Sequence, residues 1–250
     1  MPKYEGRDSG ISPLPSLRAI PTLERGFPPL PQPLTTFIGR ETETAEIISL
    51  VRNGARLITL TGPGGVGKTR LALHVAGPLG ADFPSGVAFV PLATVVDPAQ
   101  VLPTVAHTLG VTGENQPEAL PGLIGELRTR RVLLILDNLE QVHEAAPAIA
   151  DLLVACPWLH VLATSRVRLR LSGEHVLSVP PLTLLDRRGV APGLQEGGEH
   201  DLSSFLHSEA VRLFLDRARA ANRAFVLNNN LLNAVAEICH RLDGLPLAIE

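Results

Sequence analysis

Eight residues, Gly62-Pro63-Gly64-Gly65-Val66-Gly67-Lys68-Thr69, stand between the apolar run Leu57-Ile58-Thr59-Leu60 and a segment from Thr69 to about Ala76 that reads as helix. A glycine-rich loop between a strand and a helix restricts the fold more tightly than any bulk property of the chain. Its backbone can turn so that several N–H groups converge on one anion, and the helix N-terminus behind it adds partial positive charge. The spacing fits G-x-x-x-x-G-K-[ST], a cradle for nucleotide phosphates. Lys68 is expected to bridge the β- and γ-phosphates and the Thr69 hydroxyl to ligate Mg2+, with ATP as the triphosphate. Asn-Lys-x-Asp, the guanine-reading motif of GTPases, does not occur.

The basic residues single out the same loop. Lys3 and Lys68 are the only lysines; the other 20 of the 22 basic residues are arginine. A compact ammonium among phosphate oxygens is not replaceable by a planar guanidinium, and Lys68 is the one lysine inside the patterned part of the chain.

Short apolar runs alternate with helical segments beyond the loop. Val87–Leu92, Val132–Leu136, His160–Ala163 and Val176–Val179 read as strands; Arg40–Arg52, Pro98–Leu109 and Ala145–Ala155 read as helices. Continuous apolar strands alternating with helices imply an α/β fold, a three-layer parallel sheet with helices on both faces. Right-handed crossovers then bring the C-terminal ends of the strands to one edge. Residues 1–34, with Pro13, Pro15, Pro21, Pro28, Pro29, Pro31 and Pro33, read as a leader or linker. The sheet domain is expected over 35–186, a Gly-rich linker over 187–205, and the start of a small helical domain over 206–250. In that last part Ser208 is the expected N-cap of one helix, with Val211, Phe214, Leu215 and Ala218 on its stripe. A second helix carries Leu231, Val235, Ile238, Cys239 and Leu242, Gly244 is its expected C′ residue, and Pro246 opens a third. Because the chain stops four residues after Pro246, the helical domain is expected to be truncated.

Two further strand ends carry chemistry. Val132-Leu133-Leu134-Ile135-Leu136-Asp137 is an apolar strand that delivers an acid at its C-terminal end, where Asp137 would hold Mg2+ beside Thr69. The next residue is Asn138 rather than a water-polarising glutamate. Glu140 is a candidate general base and equally a candidate first-turn helix acid. Thr164-Ser165-Arg166 ends the following strand on the same expected edge, and Arg166 can reach a γ-phosphate there; Arg168 and Arg170 leave open a solvated basic turn.

Charge and composition bound the rest. A net charge of −3 gives no basis for nonspecific attraction to nucleic acid or anionic lipid, so direct nucleic-acid binding by this chain is not expected. Val132–Leu136 is far shorter than the roughly 20 residues that span a bilayer, and Met1 to Asp8 has no apolar signal core. Cys156 and Cys239 form no disulfide or metal framework, and buried thiols of a reducing compartment are expected. The expectation is a soluble cytoplasmic protein.

Five ordered motifs make residues 34–250 similar to the STAND class of P-loop ATPases, specifically the NB-ARC-like module of large bacterial transcriptional regulators. They are Phe37-Ile38-Gly39-Arg40-Glu41, the segment 60–70 from Leu60 through Lys68 to Arg70, Leu134 to Asn138, Thr164-Ser165-Arg166, and Arg241 to Glu250 with its Gly-Leu-Pro-Leu. The resemblance implies that Ile38, Gly39, Arg40 and Pro246 line the base pocket and that Arg166 senses phosphate. Arg70, at the end of its motif, joins the expected binding residues. It also implies a slow-hydrolysing ATP/ADP switch in signal transduction, with self-association or further C-terminal domains in a full-length family member. Alternatives are an AAA-like motor or loader, which needs an efficient water-activating acid, a small-molecule kinase, which needs a lid and acceptor pocket, and a truncated remnant without independent activity.

Overall fold

The computed structural model describes residues 27–111, 119–185, 207–226 and 228–250. Along the chain come α1 (Glu41–Arg52), β1 (Leu57–Thr61), α2 (Lys68–Leu79), β2 (Val87–Pro91), α3 (Val101–Thr108), α4 (Ala119–Leu127), β3 (Val132–Asp137), α5 (Ala146–Ala155), β4 (Leu159–Ser165) and β5 (Glu174–Ser178). Three further helices follow, α6 (Glu209–Ala221), α7 (Asn229–Arg241) and α8 (Pro246–Ile249).

The five strands form one parallel sheet in the order β2-β3-β4-β1-β5. Alternation along β3 explains the two helical layers. Val132, Leu134 and Leu136 pack with residues of α3, α4 and α5, whereas Leu133 and Ile135 pack with α1 and α2. Each of the five is at most 1% exposed. A period of two with both sets apolar is what a strand covered on both faces requires. The C-terminal ends of β1, β3 and β4 reach the same edge, so the Gly62–Thr69 loop, Asp137 and Arg166 meet there.

The structure extends the expected outline in several places. Helix α4 lies where Pro121, Gly122 and Gly125 discourage a helix, but Pro121 falls in the first turn, where its missing N–H is harmless, and Leu123 and Leu127 are fully buried one turn apart. Helix α5 is preceded by an irregular 3-10 stretch at Leu139–Ala145. Residues 27–34 carry no helix or strand and lie against the sheet domain: Leu30 packs beside the α1–α2 layer, and the Arg130 guanidinium sits 5.1 Å over the Phe27 ring. Residues 1–26 and the expected linker at 187–205 lie outside the described residues.

Ser208 caps α6, its hydroxyl accepting from Val211 N–H and donating to the Thr183 carbonyl. The buried face of α7 differs from the expected stripe. Leu232, Val235, Ala236 and Cys239 are buried, whereas Leu231 and Ile238 are 37% and 40% exposed. Both sets satisfy helical spacing; Val235 and Cys239 face α6 while Leu232 and Ala236 meet Leu185, and these two neighbours select the stripe. At the end of α7 the left-handed C′ position is taken by Asp243 (φ 50°), with Gly244 following at φ 64°. Gly244 has its own requirement there, since a Cβ would stand 2.5 Å from the Leu182 carbonyl oxygen.

Among the described residues no helix is long and apolar enough to cross a membrane. Both cysteines are buried and unbridged. Burial pushes the Cys239 thiol up to about 11 and raises that of Cys156. Neither thiol is therefore expected to react with a disulfide reagent in the native protein at neutral pH, and both are expected to react once guanidinium chloride unfolds it; a thiol titration under the two conditions checks this.

Candidate functional site

The loop after β1 closes into the N-terminus of α2 only because of its glycines. Gly67, immediately before the helix, has φ 97°, and a Cβ on Gly62 would stand 2.8 Å from the Val179 carbonyl oxygen. Lys68 reaches back across the loop and donates from Nζ to the carbonyls of Gly62 (2.8 Å) and Pro63 (3.0 Å). Burial lowers the Lys68 pKa; Glu140 and Asp137 act to raise it and Arg166 to lower it further. These two carboxylates help keep the ammonium charged inside the fold.

At the next residue, the Thr69 hydroxyl donates to Asp137 Oδ1 at 2.6 Å. The same oxygen accepts from the Thr164 hydroxyl at 2.7 Å, and Thr164 in turn accepts from Asn138 N–H at 2.9 Å. Asp137, 7% exposed, is thus oriented from both neighbouring segments. The sequence motif Thr164-Ser165-Arg166 points to Arg166; the register of Thr164 opposite Leu60, next to the loop, is what gives the Thr164 hydroxyl this place. A hydroxyl and a carboxylate oxygen in contact, beside a buried lysine, fit a hard divalent cation of the Mg2+ type in donor chemistry.

Above this pair lies a cavity of about 340 Å³ with walls from three directions. Gly64, Gly65, Gly67, Lys68, Thr69 and Arg70 form the floor; Asn138, Glu140 and Arg166 come from beyond β3 and β4; Pro246 and Leu247 come from α8 and Glu250 from the position that caps it. Glu140 and Arg166 pair at 3.3 Å. Arg166 is two-thirds exposed and reaches toward Gly64, while Glu140 Oε2 is buried without a hydrogen-bond partner. Three cations and two carboxylates among the lining residues leave a positive balance, which suits a phosphate ligand.

The other expected binding residues support the cavity from behind. Gly62, Pro63 and Val66 belong to the loop without lining the cavity, and Val66 is fully buried in the α1–α2 layer. Ile38 packs with the cluster formed by α6, α7 and α8. Arg40, 3% exposed, donates from Nη2 to the Val66 carbonyl (3.2 Å) and from Nη1 to Glu43 (2.9 Å). Its backbone N–H donates to Glu209 Oε1 at 2.7 Å, and a Cβ on Gly39 would collide with that carboxylate. Glu209 also accepts from Thr183 N–H through Oε2, so one side chain at the start of α6 joins the Gly39-Arg40 turn to the segment after β5.

Residues 51–178 match the family model described as AAA domain. An uncharacterized protein of Mycobacterium tuberculosis is 36% identical over 245 residues, covering 93% of this chain and 56% of that protein. A protein of the same organism named as an HTH-type transcriptional regulator is 38% identical over 196 residues, 78% of this chain and 20% of the regulator. The chain therefore spans little more than half the length of the first relative and a fifth of the second. Among solved structures, the Walker-type ATPase of Pyrococcus abyssi has the same fold at a TM-score of 0.51 and 13% identity, covering 85% of this chain and 66% of that one. With the match spanning β1, the Gly62–Thr69 loop and Asp137, the chain belongs to the AAA domain family, as an ATPase-like domain related to transcriptional regulators.

Proposed function

We propose that the cavity binds ATP or ADP with Mg2+ and that the domain acts as a slow-hydrolysing nucleotide switch within a signalling regulator. The observation that carries this is the contact of Thr69 with Asp137 in front of a buried Lys68, at the floor of a cavity roofed by α8. Bound Mg2+ would screen the phosphate charge and polarise the terminal phosphoryl group. Lys68 exchanges the carbonyls of Gly62 and Pro63 for phosphate oxygens. Arg166 is the residue that distinguishes triphosphate from diphosphate, because its exposed guanidinium can leave Glu140 for a third phosphate. Ile38, Gly39 and Arg40 support the base side of the site with Pro246, Arg40 acting through the Val66 carbonyl as well.

Hydrolysis is secondary in this proposal. Asn138 rather than a glutamate follows the metal-binding acid, and Glu140, the nearest candidate to activate water, is paired with Arg166 until a third phosphate draws that arginine away. The roof made by α8 couples nucleotide occupancy to the helical part of the chain, which is the property a switch needs. Self-association on ATP binding belongs to the same proposal.

Three outcomes are expected. Purified protein releases ADP or ATP on denaturation, identifiable by chromatography, and Lys68→Ala weakens binding by about 30- to 100-fold in calorimetric titration. Absence of any nucleotide, together with titrations indifferent to Lys68→Ala, would sink the proposal. For Asp137→Asn, the tightening of nucleotide binding by Mg2+ is expected to be largely lost while metal-free binding persists; titration with and without chelator separates the two. Finally, steady phosphate release is expected to be slower than about one per second, and Glu140→Gln to reduce it about 100-fold without weakening ADP binding. Release unchanged in that variant would remove Glu140 from the water-activating role.

A further inference from the structure

Arg217, on α6, lines no part of the nucleotide cavity, yet it ends on the residue that fastens the cavity's roof. Its Nη2 and Nε donate to Glu250 Oε1 at 2.7 and 3.1 Å. The same oxygen accepts from Arg70 Nη1 at 2.7 Å. Both guanidiniums also converge on the turn before Ile38: Arg70 Nη2 donates to the carbonyls of Thr35 (2.9 Å) and Thr36 (3.0 Å), and Arg217 Nη2 to that of Thr36 (3.2 Å). Arg217 is further paired with its neighbour Asp216. One carboxylate is thereby clamped between two guanidiniums that arise from α2 and α6.

Roof and floor touch at a second point. Leu247 N–H donates to the Gly65 carbonyl at 3.2 Å, and a Cβ on Gly65 would stand 3.0 Å from Leu247 Cβ. Helix α8 is anchored through Ile249 in the cluster it shares with α6 and α7, and on the cavity side it is held at the loop at Gly65 and at the clamp at Glu250. Arg70 follows Thr69 directly, so the clamp bears on the first turn of the helix that carries the phosphate site.

We infer that Arg217 is a positioning residue of the nucleotide site: through Glu250 it holds α8 over the phosphate loop and so sets how fast nucleotide leaves. The inference rests on the proposed nucleotide site and adds to it a control that does not act through the phosphates. Charged hydrogen bonds that are partly shielded, with Arg217 14% and Glu250 29% exposed, are strong enough to hold the roof's cavity side and weak enough to release it. Arg70 Nε is buried without an acceptor, which burdens the closed arrangement and favours its opening once Glu250 lets go.

The test is displacement of mant-ADP by excess ADP in stopped flow, using the full chain. Arg217→Gln and Glu250→Gln are each expected to raise the dissociation rate about tenfold, a change worth one factor of ten in affinity if association is unchanged. Arg217→Lys should recover part of the loss, because a single ammonium replaces one of two donors. The double variant should dissociate no faster than the faster single variant, since either change opens the same clamp. A dissociation rate within twofold of wild type for folded Arg217→Gln, or effects that multiply in the double variant, would overturn the inference while leaving the nucleotide site intact. If Arg217→Gln does not fold by circular dichroism, Glu250→Gln decides by the same criterion. Absence of Lys68-dependent mant-ADP binding in the wild type would overturn the site and the clamp together.

Discussion

The complete burial of β3 is the constraint on which the cavity depends. Residues 132–136 are shielded on both faces, alternate side chains entering the two helical layers. A strand held this way cannot slip by one residue without exchanging its faces, and cannot slip by two without shifting Asp137 along the edge by a pleat repeat. Asp137 therefore arrives at a fixed height relative to Thr69 on α2, and the 2.6 Å contact between them follows from the packing of the whole sheet. Thr164, on the strand between β1 and β3, then selects the rotamer of Asp137 through its own hydroxyl. Precision at the site is thus bought from the core.

What was legible in the sequence was local. The phosphate loop is a run of eight residues whose glycines, lysine and threonine carry their meaning at short spacing, and Asp137 is marked by the apolar run it terminates. The parallel sheet was legible for the same reason, because each strand carries its own double-sided apolar pattern. Glu209 was not, since its role is to receive the Arg40 N–H from 169 residues away. The Thr164 hydroxyl likewise has no role of its own in a motif read for Arg166 until β4 is placed beside β1. Helix α7 shows a different failure: two apolar stripes fit one helix, and only the position of α6 and Leu185 tells which is inside. Helix α4 was hidden by Pro121 and two glycines whose disfavour is outweighed by burying Leu123 and Leu127.

Two of the four non-glycine residues that hold a left-handed backbone among the described residues stand where the chain turns toward the cavity. Gly39 and Arg40 are both left-handed, at φ 73° and 69°, as is Asn138 at φ 65°. Arg40 and Asn138 have side chains, so each turn must be compensated by its surroundings. For Arg40 the compensation is visible in the bond to Glu209 and the guanidinium's hold on the Val66 carbonyl. For Asn138 it is the hydrogen bond from its N–H to Thr164. Both strained residues therefore brace the phosphate site, one from beneath the loop and one from beside Asp137.

The charges at the cavity are already engaged with one another. Lys68 is on two loop carbonyls, Arg166 on Glu140, and Arg70 on Glu250. On the proposed reading a phosphate ligand must take these cations from partners they already have, so binding is an exchange whose net gain is smaller than its new contacts suggest. That exchange is what gives a bound nucleotide mechanical consequence. An arginine drawn to phosphate leaves Glu140 unpaired beside it, and an arginine drawn from Glu250 loosens α8. A cavity lined by free cations would bind nucleotide more tightly, yet it would transmit nothing to the helices that follow. On the proposed reading, the internal pairing that limits affinity is therefore the same feature that would couple occupancy to the position of α8.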